Sequence, residues 1–595
     1  MKKLLLLGLS SLILTAGCSK PHLKTDTQSQ PAPAPQADPV PEPEPPQQDK
    51  SQMRQTSSNP TPSEIKAKIQ MLEKKKMSLK KSKSSTNHSR SFVFEESSNL
   101  TSYEQVRHLE NASVIGYLDS PTPVYILDSD PSQDLSPGNS QPAEFNTEEY
   151  DRIYENPFLK AMDNPVSTFS IDVDAASYAN TRRFLNENRM PPADAVRIEE
   201  FINYFSYDYP PPDDQAPFSV HTEISECPWK QENRLLKIGI KGKEIETKEL
   251  PPSNLVFLLD VSGSMSSRDK LPLLQKAFGL LVDRLREQDK VSIAVYAGSA
   301  GLVLPPTSGA KKTDILDAIN KLRARGSTAG GEGILLAYET AKKNFVKGGT
   351  NRVILATDGD FNVGVSSDAE LVRLIEKKRE EGVFLTVLGF GSGNYKDSKM
   401  EQLANKGNGN YAYIDNILEA KKVLVNEIGG TLVTIAKDVK IQIEFNPVNV
   451  KSYRLIGYEN RVLNKEDFDD DKKDAGELGA GHEVTALYEL VLADSAQDRK
   501  STLRYQESRV TGEKSKAGEV AYLKLRYKHP EDTVSQLIEN TINDESYSLE
   551  QTTDDFRFAC AVAGFGMLLR DSEHKGNADY PMIKTLARNA LGQDA

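Results

Sequence analysis

From residue 252 to 432 the chain alternates apolar runs with amphipathic ones, and this alternation limits the fold more than any other feature of its 595 residues. The apolar runs are "LVFLLD", "VSIAVYAG", "GLVLPP", "RVILATD", "VFLTVLGFG" and "NYAYID". Between most of them lie stretches with apolar residues at helical spacing: "LPLLQKAFGLLVDRLREQ", "DILDAINKLRA", "GILLAYETAKKNF" and "AELVRLIEKKREE". Strands that return in one direction after each helix build a doubly wound, mostly parallel α/β sheet. One link is too short for a helix. "VSIAVYAGSAGLVLPP" therefore predicts "GLVLPP" as an antiparallel edge strand beside "VSIAVYAG".

Such a sheet binds ligands outside the carboxyl ends of its strands. Three polar groups are expected there: Asp260-x-Ser262-x-Ser264 after the first strand, Thr328 in "RGSTAGGEG", and Asp358 closing "RVILATDGD". The right-handed crossover rule makes the strands ending at Asp260 and Asp358 neighbours. Two carboxylates that close need a cation or a shared proton. A small set of hard oxygen ligands suits Mg²⁺, or Mn²⁺ in its place. The local alternative is that Ser262 and Ser264 only cap the helix that follows, and both readings can hold together.

"DVSGSM", the Thr of "GST" and "TDGD" resemble the metal-ion-dependent adhesion site of the von Willebrand factor type A (VWA) domain. The resemblance implies that Asp260, Ser262, Ser264, Thr328 and Asp358 surround a divalent metal. It also implies that one coordination position is left for an Asp or Glu of a partner protein. The flanks narrow it further. "STFSIDVDAASYANTRRFLNENRMPPADAVRIEEFINYFSYDYPPP" and "YRLIGYENRVLNKEDFDDDKKDAGELGAGHEVTALYEL" are similar to regions on either side of the VWA domain in YfbK-like bacterial VWA lipoproteins.

Outside the α/β region the pattern changes. Residues 156–251 read as helices followed by the first β strands, with Asp194 placed to cap the second helix. Residues 436–530 carry period-2 strands such as "KDVKIQIEFNP" and "GEVAYLKLRYK", an antiparallel region expected to pair with the strands before 250 in one β-sandwich. Residues 531–595 read as helical, led by "TTDDFRFACAVAGFGMLLRD" with its capping Thr and Asp. The α/β domain, 252–435, is then an insertion between two halves of a sandwich.

The N-terminus carries Met1-Lys2-Lys3 and an apolar run that ends in small residues before Cys18, and it resembles a bacterial lipoprotein signal (1–17) despite Thr15 where Leu is commoner. Lipidation of Cys18 would tether the chain to a membrane of the cell envelope, the periplasmic face of the outer membrane in a Gram-negative cell. Residues 18–155 then form a Pro-rich and basic tether with too few apolar residues to pack. A net charge of −12, with basic residues gathered in one linker stretch, argues against nucleic acid as a partner.

Other candidates carry less. Asp172 and Asp174 read as local caps with a possible role in holding the α/β domain, "DFDDDKKD" as a solvated acidic turn, and His482 as structural. Trp229 and Cys560 read as core residues. No P-loop, G-x-S-x-G or G-x-G-x-x-G is present, and neither serine has an evident base nearby in sequence. The expected activity is therefore metal-dependent protein binding rather than catalysis. The alternatives are a metal-assisted hydrolase and a structural envelope component with a vestigial site.

Overall fold

The computed structural model describes residues 147–213, 216–246, 248–327, 330–359, 361, 368–493, 518–544 and 547–592. Cys18 and the tether before residue 147 lie outside these residues. The chain enters through β1 (Leu159–Lys160), β2 (Val166–Ser170), α1 (Ala176–Asn186), α2 (Ile198–Asn203), β3 (Phe218–Glu226) and β4 (Arg234–Gly242). The α/β segment follows: β5 (Ser253–Asp260), α3 (Leu271–Arg284), β6 (Lys290–Tyr296), β7 (Ala300–Ser308), α4 (Lys312–Asn320), α5 (Gly330–Lys343), β8 (Thr350–Thr357), α6 (Asp368–Glu380), β9 (Phe384–Phe390), α7 (Asp397–Lys406), β10 (Tyr411–Ile414), α8 (Ile417–Lys421), a π-helical turn (Lys422–Asn426) and α9 (Ile428–Leu432). The chain closes with β11 (Thr434–Phe445), β12 (Val450–Ile456), β13 (Val462–Leu463), β14 (Gly476–Gly479), β15 (Glu483–Leu492), β16 (Glu519–Lys528), β17 (Gln536–Asn543), α10 (Asp554–Arg570) and α11 (Tyr580–Arg588).

The α/β segment forms one sheet in the order β10-β9-β8-β5-β6-β7, parallel except for the β6–β7 pair. β5 and β8 are buried at every position, as strands covered on both faces must be, which is why they read as unbroken apolar runs. One face packs Leu255, Phe257 and Leu259 against α3, and the other packs Val256 and Leu258 against α5.

Two antiparallel sheets, β1-β12-β15-β4-β3 and β13-β2-β11-β16-β17, enclose a second core. Each takes strands from both sides of the α/β segment. β15 pairs β4 from Glu483↔Lys241 to Leu490↔Arg234, and β11 pairs β2 from Lys440↔Ser170 to Glu444↔Val166. On the outer face of the first sheet, α2, α10 and α11 form a helical core around Trp229 and Cys560. Cys227 and Cys560 are buried free thiols.

The flank also grips the α/β segment. Asp174 Oδ1 accepts from the amide of Tyr411 on β10 at 2.8 Å, and Arg182 on α1 reaches Asp415 and Glu419 just beyond it. Asp172 and Asp174 both pair with Arg461.

Several expectations are corrected. The segment 531–595 does not begin as helix, because β17 adds a strand beside β16 first. Asp194 caps no helix; its carboxylate accepts from the amide of Ile153, and α2 starts without a side-chain cap. Residues 147–155 are placed against the body rather than apart from it, with Glu148 on Arg183 and Glu149 bridged to Lys396. The acidic run after Phe468 is partly paired: Asp469 and Asp471 bind Arg526, and Asp474 binds Arg379. No helix among the described residues is long and apolar enough to cross a membrane.

Candidate functional site

The site lies at the carboxyl ends of β5 and β8, which run side by side from Ser253↔Thr350 to Leu259↔Ala356. That register places Asp260 and Asp358 at one edge of the sheet. Both are fully buried. Asp260 is held at both oxygens: Oδ1 accepts from the amide of Ser262 at 2.9 Å, and Oδ2 accepts from the Tyr296 hydroxyl at 3.0 Å and Thr357 Oγ1 at 3.2 Å. Burial pushes the Asp260 carboxyl up to about 6, and the bonds around Ser262 and Tyr296 work against that rise while Asp358 adds to it. Its orientation is fixed before any ligand arrives.

Beyond Asp260 the chain makes a short 3-10 turn, Gly263–Ser266, with Ser262 at its start. The Ser262 side chain makes no capping bond there, so the capping alternative does not account for it. Its hydroxyl lies 2.9 Å from that of Ser264. Ser262 is buried and Ser264 exposed, so the pair forms the mouth of the site.

The loop that carries Thr328 is tied to this turn by the amide of Gly263 on the carbonyl of Gly326, 3.0 Å, and the amide of Arg325 on the carbonyl of Val261, 2.7 Å. Thr328 itself lies outside the described residues. After Asp358 the backbone turns at Gly359 with φ of 102°, a left-handed conformation that a side chain would strain, and a Cβ there would also press on the backbone of Tyr395 and Lys396.

One member of the site gave no sequence signal. Lys270, at the start of α3, sends its buried ammonium to Asp358 Oδ2 at 3.0 Å and to Asn394 Oδ1 at 3.0 Å. Its stem crosses Gly391, where any Cβ would collide with it. Gly391 is thus required by the approach of the lysine.

These residues suit a small hard cation. The 2.9 Å between the two serine oxygens matches the edge of an octahedron of radius 2.0–2.1 Å, about 2.9 Å, and carboxylates stand behind them. A softer metal would favour thiolate or imidazole, and neither is among the residues gathered here.

The sequence model of the von Willebrand factor type A domain matches residues 254–425, that of the C-terminal part of the uncharacterized protein YfbK matches 430–595, and one for von Willebrand factor matches 144–237. The uncharacterized protein YfbK of Escherichia coli (strain K12) is 46% identical over 455 residues, which span 75% of this chain and 78% of that protein. The chain belongs to the YfbK family. Its α/β segment is a VWA domain, of a kind related to metal-dependent protein-interaction domains.

Solved structures resemble part of this YfbK-family chain. The conserved hypothetical protein BatB from Bacteroides thetaiotaomicron is 24% identical, with a TM-score of 0.26, over 30% of this chain and 97% of that one. Proximal thread matrix protein 1 from the mussel byssus, in a form with a zinc-occupied MIDAS motif, is 23% identical, with a TM-score of 0.25, over 30% and 45%.

Proposed function

We propose that this YfbK-family chain is a lipid-anchored cell-envelope protein, tethered through Cys18, whose VWA domain binds a partner protein through a divalent cation. Asp260, Ser262, Ser264, Thr328 and Asp358 would hold Mg²⁺ or Mn²⁺. Bound there, the ion would supply a concentrated positive charge that an Asp or Glu of the partner completes.

The observation that carries this reading is the convergence of two buried carboxylates and two hydroxyls at one sheet edge, one hydroxyl facing solvent. Lys270 sharpens it. Asp260, Asp358 and Lys270 together carry a charge of −1, so a divalent cation leaves the site at +1. One carboxylate from outside brings it to zero. The chain's own charges thus favour an anionic ligand group over a neutral one.

The test is crosslinking of the full-length chain in its native envelope, with Mg²⁺ or with EDTA, for wild type and Asp260→Ala. A partner captured with Mg²⁺ and lost under EDTA and in the variant supports the proposal. A partner that stays bound under both treatments overturns the metal bridge.

A further inference from the structure

At the opposite end of the same strands the VWA domain meets the β-sandwich, and a cavity of about 540 Å³ lies between them. Among its lining residues are Arg352 near the start of β8, Asn408 and Asn410 ahead of β10, and Thr434 and Glu477 from the sandwich side; Asp172 and Asp174, both paired with Arg461, line it as well. Arg352 precedes Asp358 by six residues of strand, roughly 20 Å, so the cavity and the site at Asp260 are separate.

Arg352 differs from every other buried arginine among the described residues. Arg183, Arg197, Arg454 and Arg570 each bind a carboxylate. Arg352 is 1% exposed and makes no ion pair among the described residues. Its Nη1 donates to Thr386 Oγ1 at 2.8 Å, and its buried Nε has no partner.

Burial lowers its pKa only to about 10, which leaves it charged at neutral pH. Glu477 is the carboxyl whose charge acts on Arg352, but the two make no ion pair among the described residues, and Glu477 Oε1 accepts from Asn408 instead. The Phe384 ring centroid lies 5.5 Å from the guanidinium carbon, but a buried guanidinium with no carboxylate bonded to it is still costly, and leucine would fill the same strand position without that cost. Guanidinium offers a planar fork that matches a carboxylate or phosphate. The cavity is of small-molecule size and sits at a domain boundary, where such sites concentrate.

We propose that this cavity binds a small organic oxyanion, a carboxylate or a phosphate, whose charge pairs with Arg352. This does not depend on the metal reading.

The test is thermal unfolding of the full chain in phosphate-free buffer at matched ionic strength, with acetate, glutarate, inorganic phosphate or glycerol phosphate as probes. At least one probe should raise the wild-type Tm in a dose-dependent way, and the carboxylate and phosphate arms tell the two chemistries apart. Arg352→Met should lose that shift, and its Tm without a probe should equal or exceed the wild type's, because the unpaired charge is gone. Arg352→Lys, which keeps the charge without the fork, should give a reduced shift. The proposal fails if no probe shifts the wild type, or if Arg352→Met keeps the shift. It fails equally if Arg352→Met and Arg352→Gln both unfold at lower temperature than wild type without a probe, which is the signature of a structural guanidinium.

Discussion

Lys270 is the residue whose removal says most about the proposed metal site. It neutralises half of the charge on two buried carboxylates, so it stabilises the metal-free chain and opposes a cation. A unit charge about 5 Å from a dication is worth about 1.7 kcal/mol even at the dielectric constant of water, more than tenfold in affinity. Lys270→Met should therefore bind Mn²⁺ at least about tenfold more tightly in titration calorimetry, and acetate should add less to the loaded variant than to the loaded wild type. In EDTA the same variant should unfold earlier than wild type, with the gap closing as metal is added. Unchanged or weaker Mn²⁺ binding would remove Lys270 from the site. The residues split sharply in how far sequence alone could place them. Asp260, Ser262, Ser264 and Asp358 were legible because polar side chains ending an apolar strand have few other uses. Lys270 and Arg352 were not, because each takes its meaning from what packs against it. The partner of Lys270 lies 88 positions away, and Arg352 stands out only once the sandwich has closed over it without forming an ion pair.

Among elements, pairing between β12 and β15 carries a buried charge across the first sandwich sheet. Arg454 and Glu489 sit directly opposite in register, both 2% exposed at the side chain, joined at 3.0 Å. Asn233 and the indole of Trp229 also donate to Glu489, which ties the outer helical layer to this pair. Arg454→Met leaves Glu489 buried and uncompensated, and should cost about 3–5 kcal/mol in denaturant unfolding. Arg454→Met with Glu489→Gln should recover most of it. A double variant as unstable as the single would mean that packing, not charge, holds the two strands. Element type was readable wherever one period dominated: β5 and β8 by their unbroken apolar runs, α10 by its length and its Thr553 cap. β17 was not readable, because it is an edge strand with most side chains exposed, Leu537 among them at 51%, and burial is what writes alternation into a sequence. The pairing of β2 with β11 across the whole VWA insertion was suggested by strand pattern on both flanks, but its register depends on contacts no local pattern encodes.

For the whole molecule, the seam between the VWA domain and the sandwich should govern how stability follows pH. Glu199 and Glu200, at the start of α2, are fully buried, and burial pushes their carboxyls up to about 8 and about 7. The unfolded chain releases those protons near 4.5, so between 4.5 and these higher values the folded chain holds protons that the unfolded chain has lost. Stability from these groups is therefore full below about 4.5 and falls as pH rises, by up to about 1.4 kcal/mol per pH unit for each. His482 acts in the other direction. Burial, with Lys422, Arg352 and Lys241 nearby, lowers its pKa to about 4, so the unfolded chain binds a proton below about 6.5 that the folded chain refuses, and acid costs stability there. The two carboxyls outweigh the one imidazole. Stability contributed by these groups should decline from about pH 5 to pH 8, most steeply near pH 6.5–7, where the imidazole has stopped opposing the carboxyls and the folded chain still holds most of their protons. Trp229, the only tryptophan and 1% exposed in the helical core, reports unfolding by its fluorescence. Denaturant titrations read from that signal across this pH range should show a flatter decline in Glu199→Gln, which is neutral without a borrowed proton, and a flatter acid limb between pH 4 and 6.5 in His482→Gln. Curves that run parallel to the wild type in both variants would mean that neither group titrates differently on folding, and that the charge of the seam is set by other residues.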